Sequence, residues 1–132
     1  AIAGPVSWYS GWYADRTPAP IGALWLVLRN SFLVPALVEE LIFRAAILPH
    51  PSEQISDRLR RLGIFTSMTF YVAVHPLNGW IRDWPLFMQW DYIALLVLLG
   101  AVLTIAYLRT GSLWPPVFIH SIVVTAFAML QG

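Results

Sequence analysis

The chain has 132 residues, enough for one domain, and 58% of them are hydrophobic while only 11% are charged. A soluble domain carries about 25% charged residues, so this balance, with a mean hydropathy of +0.67, describes a membrane protein. A net charge of +1 excludes the basic field a nucleic-acid partner needs, and the lack of Cys excludes disulfides and thiolate metal sites.

Residues 1–20 open on Ala rather than Met, as a fragment or a processed product would. They lack the basic region and apolar core of a cleavable signal peptide. Trp8, Tyr9, Trp12 and Tyr13 suit a membrane interface, and Pro18 and Pro20 mark a break before the first long helix. The expected organisation is an interfacial segment over 1–20 and one membrane-embedded domain over 21–132.

The first helix is expected from Ile21 to Leu48, ending at Pro49, His50 and Pro51. It runs to about 42 Å, longer than a ~30 Å hydrocarbon core, so it must tilt, project, or kink near Pro35. Inside it lie Glu39, Glu40 and Arg44. Ionisable residues in such a setting are costly and mark a functional site. Glu40 and Arg44, four apart, share a face and can pair, while Glu39 points about 100° away. A structural pair plus a spare carboxylate on a solvated face fits poorly with such apolar flanks. His50 reads as an exposed loop residue.

Ser52 to Leu62 is polar, with Ile55, Leu59 and Leu62 at helical spacing. It reads as a short amphipathic helix on the membrane surface, with Arg58, Arg60 and Arg61 toward headgroups. Gly63 to His75 is expected to form a second intramembrane segment ending at His75-Pro76, with Thr66, Ser67 and Thr69 at helix contacts. Leu77 to Trp90 reads as an aromatic loop. Asp91 is the expected N-cap of a third, uniformly apolar helix to Leu108, taken as scaffold. Ser112 can cap a fourth helix, Leu113 to Leu130, which carries His120. With four spans, Arg58, Arg60, Arg61 and Arg109 fall on one side and Arg16 and Arg82 on the other, which puts the first group in the cytoplasm.

Counted from the cytoplasmic ends, Glu39 lies ~14 Å deep, His120 ~11 Å and His75 up to ~18 Å. The three can therefore meet at one level. One Glu and two His suit a carboxylate base with an imidazole partner, a His/His/Glu zinc site or a proton relay of a transporter. The zinc reading lacks a His-Glu-x-x-His spacing and ranks below a metal-free base with no cofactor.

At these residues the chain resembles the CPBP family, the type II CAAX proteases and bacteriocin-processing or immunity-associated intramembrane glutamic endopeptidases. The motif Glu-Glu-x-x-x-Arg is matched by Glu39, Glu40 and Arg44. Phe-x-x-x-His is approximated by Tyr71 to His75, with Phe70 one place off. A third motif, His followed four residues later by Asn or Asp, keeps His120 but has Val124. The resemblance implies an all-α integral membrane bundle of about four helices around a polar cavity. Glu39 and His75 would activate the attacking water, Glu40 and Arg44 would brace the site, and His120 would stabilise the oxyanion. Val124 cannot supply the family's oxyanion donor, which leaves Asn78, Thr125 or a water for that task. The implied partners are the lipid bilayer and a peptide or membrane-protein substrate, a CAAX tail or a leader peptide among them. The alternative is a catalytically weak relative that binds or scaffolds membrane proteins. The expected location is a bacterial inner membrane. The Val-Glu-Glu-Leu-Ile-Phe-Arg run followed by Leu-Pro-His-Pro is also similar to that of cyanobacterial or plastid members.

Overall fold

The computed structural model describes residues 20–131. The interfacial role expected of Trp8, Tyr9, Trp12 and Tyr13 therefore falls outside the described residues. Those described form four long helices and no strand: α1 (Ile21–Ile47), α2 (Asp57–Arg82), α3 (Trp90–Thr110) and α4 (Trp114–Gln131), with a 3₁₀ turn at Pro85–Met88. They close into a ring in which α1 packs on α2 and α4, and α3 packs on both of those. Two of them, α1 and α3, are long and apolar enough to cross a membrane.

The break expected near Pro35 is present. Val34 is extended at φ −142° and ψ 119°, the region to which a following proline confines its neighbour. Pro35 also lacks the N–H that would continue the hydrogen-bond ladder. The two halves of α1 take different partners. Its first half lies on α4, and Leu41–Ile47 lies on α2. Leu41–Ile47 winds as a wide π-helical turn, and Ser67 of α2 donates to the Phe43 carbonyl there at 2.6 Å. Of the three small polar residues expected at helix contacts, Ser67 is the buried one.

Two expected boundaries are corrected. The surface helix over 52–62 and the intramembrane segment over 63–75 are one helix, which also passes through His75-Pro76 to Arg82. Ser56 caps it, accepting from the Leu59 amide at 3.3 Å. Pro76 removes one helical hydrogen bond, but α2 packs beyond it on the Pro85–Met88 turn, and that contact outweighs the local penalty. The expected loop over 77–90 thus shrinks to the segment after Asp83, whose left-handed backbone (φ 56°) ends the helix. The second correction is at α3, which starts at Trp90 with no side-chain cap; Asp91 sits in its first turn.

His50 is a loop residue but a half-buried one. Its Nε2 donates to the Gly111 carbonyl at 3.0 Å, and its Nδ1 lies 2.7 Å from the Ser52 hydroxyl. It ties the α1–α2 loop to the α3–α4 turn, which places both on one side of the bundle. Gly111 ends α3 at φ 64°, a conformation that disfavours a side chain.

α3 was uniformly apolar in sequence, yet it has two faces. Leu95, Leu98, Val102 and Ile105 are exposed, as a lipid-facing stripe would be, while Leu96, Gly100, Leu103, Thr104 and Tyr107 are buried. Gly100 is where the Tyr71 ring of α2 comes closest. A Cβ there would lie 2.9 Å from Tyr71 Cδ1. Gly100→Ala is therefore expected to overpack the α2–α3 contact at a cost of about 1–3 kcal/mol, read as a lower melting temperature in detergent. An unchanged melting temperature would show that the ring can move aside.

Candidate active site

The site forms where the second half of α1 meets α2 and α4. On α1, Glu40 and Arg44 face inward with 0% side-chain exposure, and Arg44 Nε lies 3.2 Å from Glu40 Oε2. This is the pair expected from their spacing. Each member has a further anchor. Arg44 Nη2 donates to the Gly100 carbonyl of α3 at 3.2 Å, and its Cζ sits 4.6 Å above the Tyr71 ring of α2. Glu40 Oε1 lies 2.9 Å from His120 Nδ1 of α4. A carboxylate only accepts, so His120 Nδ1 carries the hydrogen.

Glu39, one residue earlier, is turned toward the two imidazoles and is 21% exposed. Its Oε2 lies 3.9 Å from His75 Nε2 and 3.9 Å from His120 Nε2. His75 Nδ1 is 2.9 Å from the Tyr71 carbonyl one turn back along α2. A carbonyl also only accepts, so this nitrogen donates. Both imidazoles are therefore held by Nδ1 and present Nε2 to the same carboxylate oxygen. In the neutral forms each Nε2 is a bare acceptor. A separation of 3.9 Å exceeds a direct hydrogen bond and suits a small oxygen-bearing reactant shared among the three groups.

Residues 20–126 match the family model described as type II CAAX prenyl endopeptidase Rce1-like. The chain belongs to this family. Its members are CAAX-type intramembrane proteases, and the all-helical bundle with apolar spans is that of an integral membrane protein. No curated protein and no solved structure matches the chain.

The remaining expected positions are spread around this centre. Tyr71 is fully buried one turn before His75, whereas Phe70 is 58% exposed, so Tyr71 is the inward-facing ring of the two. Val124 is half-buried one turn after His120, and Asn78 is half-buried three residues after His75. Thr125 is buried, and its hydroxyl has no hydrogen-bond partner in the protein.

Sequence reading missed three contributions. Gly100 receives Arg44 and makes room for Tyr71, from a helix read as scaffold only. A lone glycine in the middle of an apolar span is the signal that could have found it. Phe87 and Tyr92, stacked at 5.0 Å, place their rings 6.1 and 6.3 Å from the His75 ring. They come from the segment that reads as an aromatic loop in sequence and from the start of the apolar helix. The wide Leu41–Ile47 turn has no sequence signature we can name.

Removing Arg44 would leave the Glu40 carboxylate buried without its cation, at a cost of roughly 3–5 kcal/mol. Arg44→Ala is expected to fail in expression or to elute as aggregate from size exclusion in detergent. A monodisperse Arg44→Ala protein with wild-type melting temperature would show that the pair contributes little.

Proposed function

We propose that residues 21–132 form a peptidase domain that hydrolyses a peptide bond within the membrane, with Glu39 as the base that activates water. The observation that carries this reading is the equal 3.9 Å approach of Glu39 Oε2 to His75 Nε2 and His120 Nε2, in a member of a CAAX-type protease family.

The attacking water sits between Glu39 and His75. The carboxylate takes its proton while the oxygen adds to the scissile carbonyl carbon. Neutral His75 accepts the second water hydrogen at Nε2 and so aims a lone pair at the carbonyl. His120, in its protonated form, donates from Nε2 to the carbonyl oxygen as charge builds there. Glu40, bonded to His120 Nδ1, holds that ring, and Arg44 holds Glu40. The tetrahedral intermediate then collapses, the C–N bond breaks, and Glu39 returns its proton to the leaving amine. The substrate is the C-terminal tail of a membrane-bound protein, of CAAX type.

A second reading rests on Val124, whose half-buried methyls cannot donate one turn after His120. On that reading the domain binds membrane proteins and turns over weakly or not at all.

The test is cleavage of prenylated and unprenylated peptides in liposomes. Glu39→Gln is expected to lower turnover at least a thousandfold with folding intact; undiminished cleavage would exclude the glutamate mechanism. Val124→Asn is expected to raise turnover several-fold, bounded by the roughly 10²–10³ that one oxyanion donor supplies. If function in cells survives both substitutions unchanged, the scaffold reading holds.

Activity is also expected to withstand chelators. Loss with chelator and recovery with zinc would replace the carboxylate base by a metal-bound water.

A further inference from the structure

Ser67 of α2 holds a point on α1 that the mechanism does not use. It is fully buried, and its hydroxyl donates to the Phe43 carbonyl at 2.6 Å. Phe43 lies in the wide turn Leu41–Ile47, which stops at Leu48, where the backbone becomes extended. Carbonyls near such an end run short of donors from their own helix, and wide π turns recur at functional sites. The carbonyl that Ser67 takes belongs to the peptide unit joining Phe43 to Arg44. A peptide unit is planar, so a bond to its oxygen also fixes the start of Arg44. Arg44 in turn reaches Glu40 Oε2 at 3.2 Å and the Gly100 carbonyl at 3.2 Å.

Ser67, Tyr71 and His75 follow one another at helical spacing and lie on one face of α2. That face meets α1 at three successive points. Ser67 takes the Phe43 carbonyl. Tyr71 sets its ring 5.5 Å from the Phe43 ring and 4.6 Å from Arg44 Cζ. His75 Nε2 stands 3.9 Å from Glu39 Oε2. Ring contacts tolerate a slide of the helices more readily than a hydrogen bond, which weakens steeply with misalignment, and 3.9 Å is too long for such a bond. Among the described residues, the Ser67 bond is the one direct hydrogen bond between α1 and α2. α1 is tied to α3 through Arg44 and to α4 through Glu40. Its tie to α2 is Ser67. Successive residues of a helix rise by about 1.5 Å, so a slip of one position would carry Glu39 past His75 by that distance.

We propose that Ser67 is a positioning residue whose hydroxyl sets the register of α1 against α2 and so holds Glu39 at its working distance from His75. It touches no reacting atom. It acts through the Phe43–Arg44 peptide on one side and through its own helix on the other, where the Tyr71 carbonyl holds His75 Nδ1 at 2.9 Å. This deepens the peptidase reading, on which its effect on turnover rests.

The test compares the wild type with Ser67→Ala by nuclear magnetic resonance in detergent. Of the seven Phe, only Phe43 precedes an Arg. Protein labelled with carbon-13 at Phe carbonyls and nitrogen-15 at Arg amides therefore gives one coupled signal, from the Phe43–Arg44 peptide. In Ser67→Ala that carbonyl resonance is expected to move upfield as its hydrogen bond is lost. The ring-nitrogen signals of His75, assigned as those absent from His75→Asn, are expected to move with it, because Glu39 has shifted beside them. An unmoved carbonyl overturns the proposal. A moved carbonyl with unmoved His75 signals overturns the positioning role, whether or not the protein cleaves anything. Peptide cleavage gives the second arm, read well below the melting temperature, where a lost structural bond alone leaves kcat unchanged. Turnover of Ser67→Ala is expected to fall about tenfold at constant KM, since a misplacement of about 1 Å can cost up to roughly a hundredfold. An unchanged kcat overturns the role. Ser67→Cys keeps a weak donor and is expected to lie between the two in carbonyl shift and in turnover; a reversed order overturns the proposal. Full cleavage by Glu39→Gln overturns the peptidase mechanism instead, and the resonances still decide the register.

Discussion

The ion pair of Glu40 and Arg44, with neither side chain exposed at all, is the constraint around which this bundle is arranged. Two charges in an apolar interior each carry a desolvation cost of several kcal/mol, and their attraction offsets it only if the remaining polar atoms are also engaged. Here part of that engagement comes from every other helix, while Arg44 Nη1 has no hydrogen-bond partner in the protein. α3 offers the Gly100 carbonyl, α4 offers His120, and α2 offers the face of Tyr71. Lipid can supply none of these, so the pair is tolerable only when all four helices are in place. It thereby selects one arrangement of helices whose exposed side chains are otherwise largely apolar.

The same pair separates two adjacent carboxylates into different jobs. Glu40 spends both oxygens on Arg44 and His120, while Glu39, about 100° around the helix, faces the two Nε2 atoms and keeps partial exposure. The imidazoles are fixed from behind, by a carboxylate in one case and a helix carbonyl in the other. Orientation of this kind is what a site needs before chemistry, since it removes the reorganisation that water would otherwise demand. The break at Val34 serves the geometry too. It lets the first half of α1 lie on α4 while the second half turns to α2.

Around the polar centre, aromatic rings dominate on the side of His75. Phe87 and Tyr92 stack on each other and stand near the imidazole, with Trp84 edge-on to Phe87. Trp84 and Phe87 come from the segment that folds back on α2 after Asp83, so their placement depends on that helix continuing through Pro76, while Tyr92 comes from the start of α3. The fold thus brings apolar rings to His75 and charge to Glu39 at one place in the bundle.

What the sequence by itself determined was everything written in polarity. Glu39, Glu40, Arg44, His75 and His120 stand out because charge and imidazole are rare in apolar segments, and a four-residue helical spacing was enough to pair Glu40 with Arg44. Pro35 announced the break in α1 for an equally local reason. The tertiary structure decided what polarity does not encode. In α3, Leu95 and Leu96 are chemically identical, yet one is exposed and the other is core. When lipid and protein interior are equally greasy, periodicity carries no mark of which face is which. The choice between Phe70 and Tyr71 as the inward ring, the role of Gly100, and the continuation of α2 through Pro76 follow from packing against other helices. No window of neighbouring residues contains those partners, so only the assembled bundle could reveal them.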